Sequence, residues 1–103
     1  MLNLPDKTAV VWQRFFKENK IIVYKYTVKQ IKKAIQQNLD TVELFKFGDE
    51  SEPRVVQQRH YLPMLEDALK EFIKVEDYEY AGKTKKIIDE YHINKLIKES
   101  NEV

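Results

Sequence analysis

Two histidines, two glycines and no cysteine set narrow limits on the chemistry open to this chain. Neither His60 nor His92 has a second histidine or a cysteine at ligand spacing, so neither begins a structural zinc site. Asp89 stands three residues before His92, on the same face if the segment is helical, which gives a side-chain contact or a weak metal pair. No metal site is expected. The pairs Asp49-Glu50 and Asp89-Glu90 are adjacent in sequence, which places their side chains apart on a strand or a helix and suits them poorly to sharing a catalytic proton. Ser51 and Ser100 have no histidine and acid arranged nearby in sequence. Gly82-Lys83-Thr84 resembles the end of a phosphate-binding loop, but that loop needs a glycine five positions earlier, where Asp77 stands. With Gly48 and Gly82 alone, a glycine-rich dinucleotide cradle is also out of reach. The expectation is a non-enzymatic protein with no catalytic residue and no cofactor.

A binding role needs surfaces, and the charge distribution offers one. Residues 1–60 carry 11 Lys and Arg against 7 Asp and Glu, whereas residues 61–103 carry 7 against 10, so the two halves have opposite electrostatic character. Most of the positive excess lies between Asp6 and Lys33, interleaved with Trp12, Phe15, Phe16, Tyr24 and Tyr26. Such a stretch can hold phosphate or the acidic half of a second copy. One functional expectation is therefore RNA or single-stranded nucleic-acid binding, with Arg14, Lys17, Lys20 and Lys25 on phosphate and Tyr24 and Tyr26 beneath bases. The same aromatics are also needed for the core of so short a chain.

The elements that must position these residues can be read from periodicity. A chain of 103 residues is sized for a single domain, here a basic, β-rich part over 1–60 and a helical part over 61–98. Ala9 to Phe16 and Ile21 to Tyr26 are rich in β-branched and aromatic residues and flank the polar stretch Lys17-Glu18-Asn19-Lys20, which favours a β-hairpin. Trp12, Phe15 and Phe16 equally suit a helix over Thr8 to Glu18. Thr27 and Gln30 read as a capping box ahead of a helical stripe of Val28, Ile31, Ala34, Ile35 and Leu39, ended by Asn38 and Asp40. Thr41 to Phe47 and Arg54 to Gln57 read as strands around a turn-rich loop at Gly48 to Pro53. The sum is an α+β fold, a small antiparallel sheet with a covering helix and a C-terminal antiparallel helical hairpin. The N-terminus lacks a signal-peptide stretch and no run approaches the roughly 20 apolar residues that cross a bilayer, so a soluble, cytoplasmic protein without membrane contact is expected.

The hairpin carries the second functional expectation. Leu62, Leu65, Leu69 and Phe72 recur at spacings of three and four, as do Tyr78, Ala81, Gly82 and Ile88 after the Glu76-Asp77 break. Asp77 is placed to cap the second helix and Glu79 to meet its positive end. Gly82, costly inside a helix, implies a close approach of two backbones beside Ala81. Over residues 62–91 this pattern resembles the UVR motif, the helical hairpin of the excision-repair proteins UvrB and UvrC and of some Clp-protease regulators. Leu69, Asp77, Tyr78, Glu79, Ala81, Gly82, Lys85 and Ile88 fall at corresponding places, with Thr84 standing where the motif has leucine and Lys86 where it has aspartate. The resemblance implies a small adaptor or regulatory domain that docks on another protein or on its own copy. Leu69, Phe72, Tyr78, Ala81 and Gly82 would form the seam, and Glu76, Asp77, Glu79 and Lys85 would select the partner. A hairpin that only closes its own core would share much of this pattern.

Overall fold

The structure, a computed structural model, describes residues 2–4, 9–48 and 52–101. Its elements are β1 (Leu2–Leu4), α1 (Ala9–Gln36), β2 (Thr41–Phe47), β3 (Arg54–Gln57), a 3-10 turn at Gln58–His60, α2 (Tyr61–Lys74) and α3 (Tyr78–Asn101). The fold is α+β and ends in a helical hairpin. β2 and β3 pair antiparallel, Thr41 opposite Gln57 and Val42 opposite Val56, with a register break between Glu43 and Phe45. β1 joins the other edge of β2 in parallel, Leu2 opposite Phe45. The two strands expected from Thr41 and from Arg54 are in place, and β1 is an addition to them. Residues 49–51 of the intervening loop, Ser51 among them, lie outside the described residues.

The strands expected over Ala9–Phe16 and Ile21–Tyr26 are a correction: both segments belong to α1. Within it, Phe16, Lys20 and Tyr24 recur at helical spacing and share a face. The Phe16 and Tyr24 rings meet edge to face with centroids 6.2 Å apart, and the Lys20 ammonium stands 5.8 Å from the Phe16 centroid. Further on, Val23, Thr27, Val28, Ile31 and Ala34 are buried along one stripe. β-Branched content is a weak preference that burial of such a stripe overrides. The polar stretch read as a hairpin loop leaves one mark, since Asn19 has non-helical angles (φ −122, ψ 16) and its side-chain amide donates to the Phe15 carbonyl at 3.0 Å. That backbone bond competes with the helix ladder and kinks it.

Thr27 is likewise not a cap but a buried mid-helix residue, whose hydroxyl donates to the Val23 carbonyl at 2.8 Å. The end of the helix is where the sequence puts it. Asn38 adopts φ 54, its amide donates to Ile35 and the Leu39 amide to Ala34, closing α1 with a Schellman turn.

The core gathers Val28, Ile31 and Ala34 of α1, Tyr61, Leu65, Ala68 and Phe72 of α2, and Ala81, Ile87 and Ile88 of α3. The buried stripe of α2 is thus Tyr61, Leu65, Ala68 and Phe72, at intervals of four, three and four, while Leu62 and Leu69 are half-buried beside it. Pro63 sits in the first turn, where its missing amide costs nothing. Leu44 of β2 is fully buried, and the Tyr61 hydroxyl donates to the Leu39 carbonyl at 3.1 Å. The body is a slab of 50 × 34 × 16 Å with a radius of gyration of 15.1 Å. A compact domain of this length would have about 13 Å. A layer that thin leaves much apolar surface uncovered.

Candidate functional site

The corner between α2 and α3 is built by backbone geometry. The Val75 amide donates to Glu71 at 3.1 Å, Glu76 to Ile73 at 3.0 Å and Asp77 to Phe72 at 2.8 Å, with Glu76 in the left-handed region at φ 62. This is a second Schellman turn, made without the usual glycine. Asp77 then caps α3, one carboxylate oxygen accepting the Tyr80 amide at 3.2 Å and the other facing the Lys25 ammonium at 3.3 Å. The Tyr80 amide bond first, then the hydrogen bond and charge of Lys25 and the charge of Lys83, hold the Asp77 carboxyl below the usual carboxylate range. Glu79 occupies the first turn of α3 and pairs with Lys83 at 3.3 Å. A second tie to α1 runs from Lys20 to Glu71 at 2.9 Å, and this hydrogen bond raises the lysine's pKa.

This corner sorts the expected docking residues into two groups. Phe72 and Ala81 are buried and Leu69 half-buried, all in the core shared with α1, and the Phe72 ring lies 5.5 Å from that of Tyr80. Tyr78, Glu76, Glu79, Gly82 and Lys85 are exposed, and Asp77 lies between the two groups. The close approach expected at Gly82 is a correction, because a β-carbon built there would meet nothing within 4 Å. Ala81 alone of that pair faces the core. Thr84, the departure from leucine, is fully buried and satisfies its hydroxyl by donating to the Tyr80 carbonyl at 2.8 Å. Two exposed residues at the corner escaped the sequence reading. Ile73 and Val75 are each 50% exposed and Tyr78 is 65% exposed. Their signal is visible afterwards: Ile73 falls off the Tyr61 stripe, and Val75 continues its spacing but stands past Lys74, the last helical residue, immediately before the Glu76-Asp77 break.

The residues expected to hold nucleic acid are not brought together as one surface. Arg14 pairs with Glu18 at 3.4 Å on its own helix, and Lys20 and Lys25 are turned onto Glu71 and Asp77. Lys17 is exposed. Tyr24 is half-buried, which raises its hydroxyl pKa, and the Tyr26 hydroxyl is buried without a hydrogen-bond partner. Neither ring is laid open for a base to stack on.

His60, Asp89 and His92 are exposed, and His92 makes a ring contact with Tyr91 at 6.3 Å. Among the described residues, no three His, Cys, Asp or Glu side chains are grouped to hold a metal, and no helix is long and apolar enough to cross a membrane. No protein-family model matches the chain, and no curated protein or solved structure matches it. These comparisons neither support nor refute the UVR-like pattern.

Proposed function

We propose that this protein is a non-enzymatic docking domain that binds another protein through the outer side of its α2–α3 corner. The observation that carries the reading is the exposure of Ile73, Val75 and Tyr78 within six residues around a corner whose Val75, Glu76 and Asp77 amides are all hydrogen-bonded. Scattered exposed apolar residues are ordinary on any surface, but three concentrated around one turn are the kind of feature that partners cover. Glu76, Glu79 and Lys85 are exposed close to it in the chain and supply the charged groups that the rims of protein interfaces have, and Gly82 is exposed beside them. The inner seam residues Leu69, Phe72 and Ala81 act indirectly, by fixing the corner against α1.

The test compares the tagged protein with a Val75→Asp/Tyr78→Asp variant in affinity capture from host extract treated with nuclease, followed by titration of the captured protein. The docking reading expects a partner that survives nuclease and is lost with the variant, whose circular dichroism matches the parent. A partner held equally by both proteins removes the corner from the interface.

A further inference from the structure

A second surface of the molecule, apart from the docking corner, takes Lys25, Lys29 and Lys32 from the C-terminal end of the basic stretch and sets them beside lysines of α3. Lys25, Lys29 and Lys32 stand at i, i+4 and i+7 of α1, and Lys83 and Lys86 at i and i+3 of α3. Where α1 and α3 pack, these five lysines line a single open groove of about 540 Å³, together with Tyr80. Two of the five are held by the ring and by the first turn of α3. The Lys25 ammonium stands 4.4 Å and the Lys83 ammonium 5.0 Å from the Tyr80 centroid, and their carboxylates are Asp77 and Glu79. Lys29, Lys32 and Lys86 are exposed and make no ion pair among the described residues. Glu90 is the sole carboxylate in the lining.

From this geometry we infer that the α1–α3 groove binds the phosphate backbone of single-stranded nucleic acid. The unpaired lysines Lys29 and Lys32 on one wall and Lys86 on the other repel one another until anions lie between them, and a cleft in which one sign of charge predominates concentrates the opposite sign. The α1 row rises by about 6 Å and then about 4.5 Å between successive lysines, so it extends over about 10 Å. A lone phosphate would answer the ammonium groups nearest to it and leave the rest of that row bare. A backbone with repeating charge answers the whole row. A duplex is wider than the roughly 8–10 Å between packed helix axes and would meet only the rims. Tyr80 acts here as a support for two ammonium groups, and the groove reads charge, not base sequence.

The test is fluorescence anisotropy with labelled oligothymidylate and oligouridylate of about twelve nucleotides, a length within the site sizes of single-strand binders. Wild-type protein should bind at low salt, with a log–log salt slope near −2 from about 0.7 per unpaired lysine for three lysines. Lys29→Glu/Lys32→Glu/Lys86→Glu should lose at least tenfold in affinity and flatten the slope. Lys17→Glu, on the other side of the Asn19 kink, should change neither. Should the triple glutamate variant misfold by circular dichroism, the glutamine triple, which removes charge without reversing it, makes the same comparison.

Four results would overturn the assignment: no binding by wild type at low salt, a groove variant that binds like wild type, an equal loss with Lys17→Glu, or tighter binding of a duplex than of its single strands. Full displacement by inorganic pyrophosphate at matched charge would instead make this a small-anion site. A salt-sensitive dimer in sedimentation that the groove variant dissolves would give the groove to a second copy. Val75→Asp/Tyr78→Asp should bind the oligonucleotides normally, so loss of the docking corner and loss of the groove are separate outcomes.

Discussion

The inner and outer sides of the α2–α3 hairpin are made from the same stretch of chain under different constraints. On the inner side, Leu65, Ala68, Phe72, Ala81 and Thr84 alternate large with small, are buried, and satisfy the one hydroxyl among them within the helix. On the outer side, Ile73, Val75 and Tyr78 are apolar without burial, and Gly82 faces open space. The difference teaches that a residue's type announces its side only where the other side is forbidden. Phe72 has nowhere else to go, whereas a glycine in a helix is tolerated outside as well as inside, at a cost in helix stability.

The sharpest way to break this comparison is to cut the inner side. Phe72→Ala should destabilise the fold by about 3–5 kcal/mol, with a large fall in the urea midpoint, because the surrounding helices collapse only partly onto the space left. A loss under about 1 kcal/mol would mean that the inner side is not the core. Next come changes that should gain stability. Glu76→Gly relieves a left-handed backbone at a residue with a side chain and should raise stability by up to about 1 kcal/mol in thermal or chemical unfolding. Gly82→Ala should gain about 0.8–1 kcal/mol, since its β-carbon meets nothing. A loss there would restore the close packing that the sequence first suggests.

Smaller still is the pH dependence of the join between the two sides. Asp77 is held below the ordinary carboxylate range in the folded protein, so its contribution is present above that range and lost as pH falls through its lowered folded value. Asp77→Asn keeps a capping oxygen but removes the titration. Urea midpoints measured from neutral to acid pH should show the parent ahead at neutrality and the two converging in acid. Smallest of all, Val75→Asp/Tyr78→Asp should change stability by no more than about 0.5 kcal/mol while abolishing partner capture, which is what an outer side implies.

Much of the architecture was legible in the residues. Val42, Leu44 and Val56 read as strand, and Asn38 and Asp77 carry their own boundary signals. These are local features whose meaning does not depend on what packs against them. Over residues 9–26 the favoured hairpin fails, and up to Glu18 the rival helix is the one found, because Val, Ile, Tyr and Phe satisfy a strand and a buried helix alike and only the stripe Val23, Thr27 and Ile31 decides the matter. Thr27 shows the same limit. Its hydroxyl can cap an amide or bond the carbonyl four residues back, and the helix already running through it imposes the second.

The candidate surfaces were legible only in part. Tyr78, Glu76 and Glu79 are exposed at the corner that the Glu76-Asp77 break marks, whereas Ile73 and Val75 went unread, because only the end of α2 at Lys74 and its buried face show that they are uncovered. The lysines of the groove were countable as charges. That Lys29 and Lys32 meet Lys83 and Lys86 is a fact of how α1 lies along α3, and no local pattern carries it.

The parallel pairing of β1 with β2 sets a schedule for synthesis. Leu2 finds its place opposite Phe45. At about 5–20 residues per second, some 2–9 s pass between the making of these two strands. Throughout that interval the first strand has no edge to join, and α1 must form and wait with its apolar stripe bare until α2 follows. During synthesis, then, β1 stays an unpaired strand until the whole of α1 and β2 has been made.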